Sequence, residues 1–328
     1  MDSLTHALTG SIVGHALGGK KIGLKAMLLG AVAANIPDFD VAFTRLYNPV
    51  EAMFVHRGFS HSLVLMAGGS LILGYLLKRY YKRQYPFGFW WLMVLLPWLS
   101  HLAMDVFNTY GTALFEPFSS IRVSFDSMAI IDVNLLFILV LTLIALFFFR
   151  KKNHRYKQLV SVIGLVLVSL YFMLNAVIKL ALESEVKENL TYSGIAFTRI
   201  HTTPQPLTNL FWMVVIEDSL SFRVTQVNIL KKQIVSPTLL NRGITKEECN
   251  HSLKRIKEFT KGYYTIEQTT QGYFYVNDLR FSSLESGYPK AYVLRFKVEE
   301  ATCKVSRAHP VRGITAQNII KLMRKVLL

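Results

Sequence analysis

The chain has 328 residues, enough for two domains, with 52% hydrophobic residues, a mean hydropathy of +0.32 and a net charge of +16. The apolar excess lies almost wholly before Leu182, which argues against a single soluble globule. The basic residues gather in short stretches between apolar segments, where membrane topology accounts for them, so the charge does not point to a nucleic-acid partner.

In chain order, the first apolar segments are residues 4–17 and 22–36, both short and rich in Gly and Ala. Small residues of this kind let helices pack closely. Residues 62–77, 87–104, 133–149 and 159–178 follow, and none of these stretches contains Asp, Glu, Lys or Arg. A helix needs about 20 such residues to cross about 30 Å of hydrocarbon. The sequence therefore predicts a mainly α-helical membrane bundle of about six apolar helices over residues 1–181, with the lipid bilayer as its partner. Lys20, Lys21 and Lys25, then Lys78, Arg79, Lys82 and Arg83, then Arg150, Lys151, Lys152, Arg155 and Lys157 mark three loops. The positive-inside rule puts these loops in the cytoplasm and both termini outside. No cleavable signal peptide is expected, because Asp2 and His6 stand where a signal carries positive charge.

From residue 182 the pattern changes to short β-branched and aromatic runs. Strands are expected at 191–200, 210–216, 221–229, 272–279 and 291–298. Amphipathic helices are expected at 244–259, with Thr245 as cap and Glu248 three residues on, and at 315–328. This predicts a soluble α+β domain over 182–328, outside the cytoplasmic membrane and available to a protein partner. Cys249 and Cys303 are either one disulfide or two separate buried thiols, and their spacing does not choose between these.

The chemistry concentrates at the segment ends: His6, Asp38 and Asp40, His56, Arg57 and His61, and His101 with Asp105. With the topology above, all eight converge on the outer side. Ionisable groups beside a bilayer core are costly unless paired, hydrated or ion-bound, so they mark function. Imidazoles and carboxylates together suit zinc, manganese or iron. His101 and Asp105, four residues apart on a helix, share one face and can reach one ion, although a His–Asp hydrogen bond would also account for them. Asp38 and Asp40 follow Pro37 in a turn that solvation alone would account for. His56 and His61 flank Gly58, which allows a turn that brings both imidazoles inward. Arg57 offers a bidentate fork to an anionic substrate oxygen. Asp40 or Asp105 would act as general base. Beyond Tyr110, Arg122, Asp126 and Asp132 are candidates for orienting the ligand imidazoles. His15 reads as a packed or hydrogen-bonded helix residue, and His154, His201, His251 and His309 receive no role.

MDSLTHALTG, NIPDFD, HRGFSHS, HLAMD and YGTALFEPFS, in this order, resemble the YdjM/YbcI family of membrane-bound, predicted metal-dependent hydrolases. That family is also described as LexA-binding and inner-membrane-associated. The resemblance covers residues 1–180 and implies a bacterial inner-membrane protein with a metal centre. Its motif positions fall on His6, Asp38, Asp40, His56, Arg57, His61, His101 and Asp105. The His-x-x-x-Asp helix and mixed ligand set are more weakly similar to helical zinc phospholipases C. The expectation is a multi-pass metal-dependent hydrolase, zinc ahead of manganese or iron, acting on a lipid or lipid-linked (phospho)ester at the outer face. Ion or proton transport, or metal sensing without hydrolysis, is the alternative. It is weakened because the fifth and sixth segments offer few polar groups, among them Thr142, Ser161, Ser169 and Asn175. Regulation of a cytoplasmic repressor would need a cytoplasmic surface larger than short basic loops.

Overall fold

The computed structural model describes residues 1–82, 84–149, 153–219, 221–230, 233–234, 237–243, 249–285 and 288–308. Two compact units result. One comprises Met1–Arg45, Val55–Val177 and Pro206–Thr208; the other comprises Leu46–Phe54, Ile178–Gln205 and Asn209–Leu328.

The first unit opens with α1 (Ser3–Ile22), capped by Asp2, whose carboxylate accepts from Thr5 N at 3.0 Å. Gly23, at φ 58°, turns the chain into α2 (Leu24–Asn35). A Cβ on Gly10, Gly14 or Gly30 would fall into the backbone of the facing helix, so α1 and α2 can pack this closely only with glycine there. Pro37 ends α2 and opens a 3₁₀ turn, Pro37–Asp40, followed by the single-turn α3 (Val41–Thr44). Next come α4 (Pro49–Val55), a 3₁₀ turn Phe59–His61, and α5 (Leu63–Tyr80), whose Ser62 cap accepts from Leu65 N. The unit is completed by α6 (Phe87–Val106), α7 (Val133–Phe148) with Asp132 as cap, and α8 (His154–Tyr192) up to Val177. One apolar core joins Ile12, Met104, Leu135, Leu139, Val168 and Phe172, and another joins Ala33, Met66, Val94, Trp98 and Leu102.

The expected six spans are reduced. Three helices are long and apolar enough to cross a membrane: α5, α6 and α8. A fourth span results if α2 and the Pro37–Thr44 segment, bent by 47°, are taken as one. α7, at 16 residues, covers about 24 Å at 1.5 Å per residue, short of the ~30 Å hydrocarbon core. α1 is long enough, but it carries Lys20 and Lys21 in its last turn and buries Thr5, His6, Thr9 and His15.

The second unit is β-rich. β1 (Arg199–Pro204), β2 (Phe211–Glu217), β3 (Ser221–Asn228) and β4 (Gln233–Ile234) lie in that order in one antiparallel sheet, with β5 (Thr238–Asn241) also on β3. α9 (Asn250–Phe259) follows. A second antiparallel sheet then has the order β11-β10-β7-β6, from β6 (Tyr264–Gln268), β7 (Tyr273–Asp278), β10 (Arg295–Glu299) and β11 (Val305–Arg307). β8 (Ser282–Glu285) and β9 (Tyr288–Tyr292) form a separate hairpin. Cys249 and Cys303 are bonded, with Cα atoms 5.2 Å apart. α4 belongs to this unit up to Phe54: Arg255 of α9 holds Glu51 at 2.9 Å and lies 3.7 Å over the Phe54 ring.

The strand expected at 191–200 is corrected, since α8 continues to Tyr192 and the strand begins at Arg199. The expected helix at 315–328 and the Thr245 cap with Glu248 lie outside the described residues.

Candidate metal centre

Local structure in the first unit brings the His and Asp motifs to one place. His6 occupies the first turns of α1, and the 3₁₀ turn after α2 delivers Asp38 and Asp40. His61 closes the second 3₁₀ turn just before the Ser62 cap of α5, and His101 and Asp105 share a face near the end of α6. His6, His61, His101 and Asp105 are each no more than 1% exposed.

His61 Nε2 lies 3.0 Å from His101 Nε2, 3.5 Å from Asp105 Oδ2 and 3.6 Å from Asp38 Oδ1. His101 Nε2 lies 3.5 Å from Asp105 Oδ2 and 3.6 Å from Asp38 Oδ1. His6 stacks on His101 with centroids 3.7 Å apart and brings Nε2 to 3.2 Å from Asp105 Oδ1. Donors at about 2.0–2.1 Å around a tetrahedral zinc stand about 3.3 Å from one another, so these spacings fit a shared ion. Both ring nitrogens of His6, Nδ1 of His101 and Oδ2 of Asp105 are buried without a hydrogen-bond partner. Buried polar atoms left this way are costly, and a cation among them would satisfy His6 Nε2 and Asp105 Oδ2 together.

Burial disfavours the charged form of His61, but the Asp105, Asp38 and Asp40 carboxylates, 3.4–3.6 Å from its ring nitrogens, outweigh it and push its pKa up to about 9. Asp40 reaches the other edge of the imidazoles: His56 Nδ1 stands 2.8 Å from Oδ1, and His61 Nδ1 3.4 Å from Oδ2. The same Oδ2 accepts from the Arg57 backbone N at 3.0 Å and from the Ser60 hydroxyl. Carboxylates so placed fix the tautomer and orientation of ligand imidazoles.

Arg57 is 3% exposed, with Nε 3.1 Å from Asp105 Oδ2, Nη1 3.4 Å from Asn108 Oδ1 and Nη2 3.4 Å from the Met1 carbonyl oxygen. Its guanidinium also lies 5.0 Å from the centre of the Tyr110 ring. The Met1 amino group donates to Asp105. The turn expected at Gly58 is made one residue earlier. Arg57 itself has φ 60°, while Gly58 has φ −88°. The unusual backbone is held at both sides, by the Arg57 N–H on Asp40 and by Ala113 N donating to Arg57 O at 3.0 Å.

All eight sequence-derived residues therefore gather here. Sequence reasoning passed over Ser60 and Asn108, neutral side chains without a charge signature. Of the flanking candidates, Arg122 braces the site through Nη2, which donates to His56 O at 3.0 Å and Gly111 O at 2.9 Å. Asp126 accepts from Ser124, and Asp132 caps α7 while accepting from Tyr171. His15 pairs with Ser161 at 2.7 Å, the packed helix role expected of it.

Residues 1–181 match the family described as YdjM inner membrane protein. Among curated proteins, an Escherichia coli (strain K12) protein described as inner membrane protein YbcI is 31% identical over 108 residues, which are 33% of this chain and 61% of that one. A Bacillus subtilis (strain 168) protein described as uncharacterized protein YfhP is 32% identical over 126 residues, 36% of this chain and 38% of that one. The matched region thus spans less than two thirds of either relative. No solved structure matches. The family match and the apolar helices put the chain in the lipid bilayer of a bacterial inner membrane.

Proposed function

Because this chain belongs to the YdjM inner membrane protein family, we propose that its buried His/Asp cluster makes it a multi-pass, divalent-metal-dependent hydrolase. Its substrate would be a lipid or lipid-linked phosphoester at the outer face of the cytoplasmic membrane. The observation that carries this reading is the set of Nε2 and carboxylate oxygens 3.0–3.6 Å apart at Asp38, His61, His101 and Asp105, with His6 beside them.

Ligands drawn from those five side chains would hold the ion, zinc ahead of manganese or iron. When bound, such an ion acidifies water and polarises the scissile bond. Asp40 holds His56 and His61 through their Nδ1 atoms, which would leave the Nε2 of His61 available to an ion. Arg57, desolvated and fixed by Asp105 and Asn108, stabilises negative charge developing on a phosphoryl oxygen. Asp105 is enclosed by Arg57, His6 and the Met1 amino group, so Asp40, beside the partly exposed His56, is the better placed proton acceptor.

A lipid substrate is supported by Phe39, Phe59 and Phe118, exposed by 64%, 47% and 84% and interleaved with the site motifs. The outer-face assignment is supported by charge. α5 and α6 carry the site at the ends opposite Lys78 and Arg79, and Lys20 and Lys21 lie at the far end of α1 from His6. An extracytoplasmic second unit is supported by the Cys249–Cys303 disulfide, and with the site outside it requires the short α7 to cross as well as α8, through local thinning of the bilayer.

The test is release of phosphate from lipid phosphoesters in mixed micelles by detergent-purified protein. Zinc-loaded wild type should be active, lose activity to a chelator and regain it with zinc. His101→Ala and Asp105→Ala should fall to background while remaining monodisperse. Equal rates in wild type and both variants would overturn the assignment.

A further inference from the structure

Seven metal-ligand side chains crowd this centre: His6, Asp38, Asp40, His56, His61, His101 and Asp105. A catalytic zinc takes three protein ligands and a structural zinc four, so one ion leaves about half of the set unused. The donors form three groups whose atoms all lie within 4.8 Å of one another: His6, His101 and Asp105; Asp38, His61 and His101; Asp38, Asp40 and His56. The first and third groups share no residue.

We propose that the centre holds two divalent cations, one at His6, His101 and Asp105 and one at Asp38, Asp40 and His56, and that its substrate is a phosphate monoester. This rests on the metal-dependent reading above and deepens it. His61 stands between the two groups. Its Nε2 is 3.5 Å from Asp105 Oδ2 and 3.6 Å from Asp38 Oδ1, so it can complete either. Asp40 would face the second ion with Oδ1, the oxygen beside His56, and keep Oδ2 on the Arg57 N–H and the Ser60 hydroxyl, so with two ions bound it is a ligand in place of the proton acceptor. Independent support comes from buried atoms of the first group that make no hydrogen bond, His6 Nε2 and Asp105 Oδ2, on residues 1% and 0% exposed; their charged neighbours are Asp105 Oδ1 at 3.2 Å and Arg57 Nε at 3.1 Å.

Charge gives the substrate class. Counting side chains alone, with neutral imidazoles, three carboxylates against the Arg57 guanidinium leave two negative charges. One divalent ion cancels them and leaves only the Met1 amino group beside Asp105 as surplus positive charge. Two ions make the centre doubly positive, the complement of a phosphate monoester dianion, and such paired ions suit in-line displacement at phosphorus.

The experiment uses the full chain in detergent, stripped of metal and titrated with Mn(II), read by elemental analysis and electron paramagnetic resonance. The expected result is two Mn(II) per chain with the dense multiline spectrum of a coupled pair. His6→Gln and His56→Gln should each halve the plateau, to one, and abolish the coupling. A wild-type plateau of one ion with an uncoupled spectrum would overturn this inference while leaving a single-ion hydrolase standing. Retention of neither Mn(II) nor Zn(II) would overturn both. Two ions retained in both variants would overturn the ligand assignment. The wild-type spectrum needs no substitution, so misfolding of a variant does not shelter the proposal.

Discussion

His61 shows how the buried His/Asp cluster is held together. Its imidazole is fully buried among three carboxylates, and its pKa is raised from an ordinary 6.5 to about 9, because their close negative charge outweighs the desolvation that opposes its own. At neutral pH the proton on His61 supplies positive charge that a metal would otherwise bring. A group whose folded pKa is raised stabilises the fold fully below its unfolded value and loses that contribution as pH rises through the folded value. Metal-free protein should therefore melt at progressively lower temperature between pH 6.5 and 9, whereas zinc-loaded protein, whose ion has displaced the proton, should stay nearly level over that window. Parallel thermal melts check this, and a metal-free melting temperature independent of pH would contradict it. At this scale the site was legible in the sequence, because His and Asp at the ends of apolar segments are costly unless they are paired, hydrated or ion-bound. The details that shape it were not. A positive φ at Arg57, in preference to the adjacent glycine, arises only because Asp40 and Ala113, distant in sequence, grip its N–H and C=O.

At the scale of elements, the glycine seam of α1 and α2 holds His6 of α1 near Asp38, in the 3₁₀ turn just after α2. A methyl group on Gly30 would press into the carbonyl of Gly10, so Gly30→Ala should cost about 1–3 kcal/mol of stability. Gly68→Ala in α5, where the methyl meets nothing within 4 Å, should be close to neutral. Thermal denaturation of the two variants in detergent separates them, and equal melting temperatures would contradict the seam. Small residues announced this packing in the sequence. Span number was less legible, since hydropathy registers composition while crossing also depends on length, and α7 falls short of the full hydrocarbon thickness. The strand expected near 191 failed for a local reason. Residues 183–192 are polar but favour helix, and the Lys179–Glu183 pair, four residues apart, carries α8 past the apolar stretch.

Across the whole molecule, a helical membrane unit with the candidate centre is joined to a β-rich unit closed by one disulfide. Cys249 and Cys303 are 54 residues apart, a loop long enough that Cys303→Ser should destabilise the β-rich unit by about 2–4 kcal/mol. A melt with and without reductant checks this: wild type should lose stability on reduction and the variant should not respond. Sequence could not choose between a disulfide and separate thiols, because the pairing joins the start of α9 to the loop between β10 and β11, a contact only the tertiary fold creates. The central claim is that the polar cluster is a metal centre. Elemental analysis of detergent-purified wild type beside His101→Ala tests it most directly. Stoichiometric zinc, manganese or iron in wild type, lost in a variant that remains folded, is the predicted result. Wild type without metal, even after reconstitution with zinc and manganese, would contradict it and leave the cluster a proton-sharing structural network.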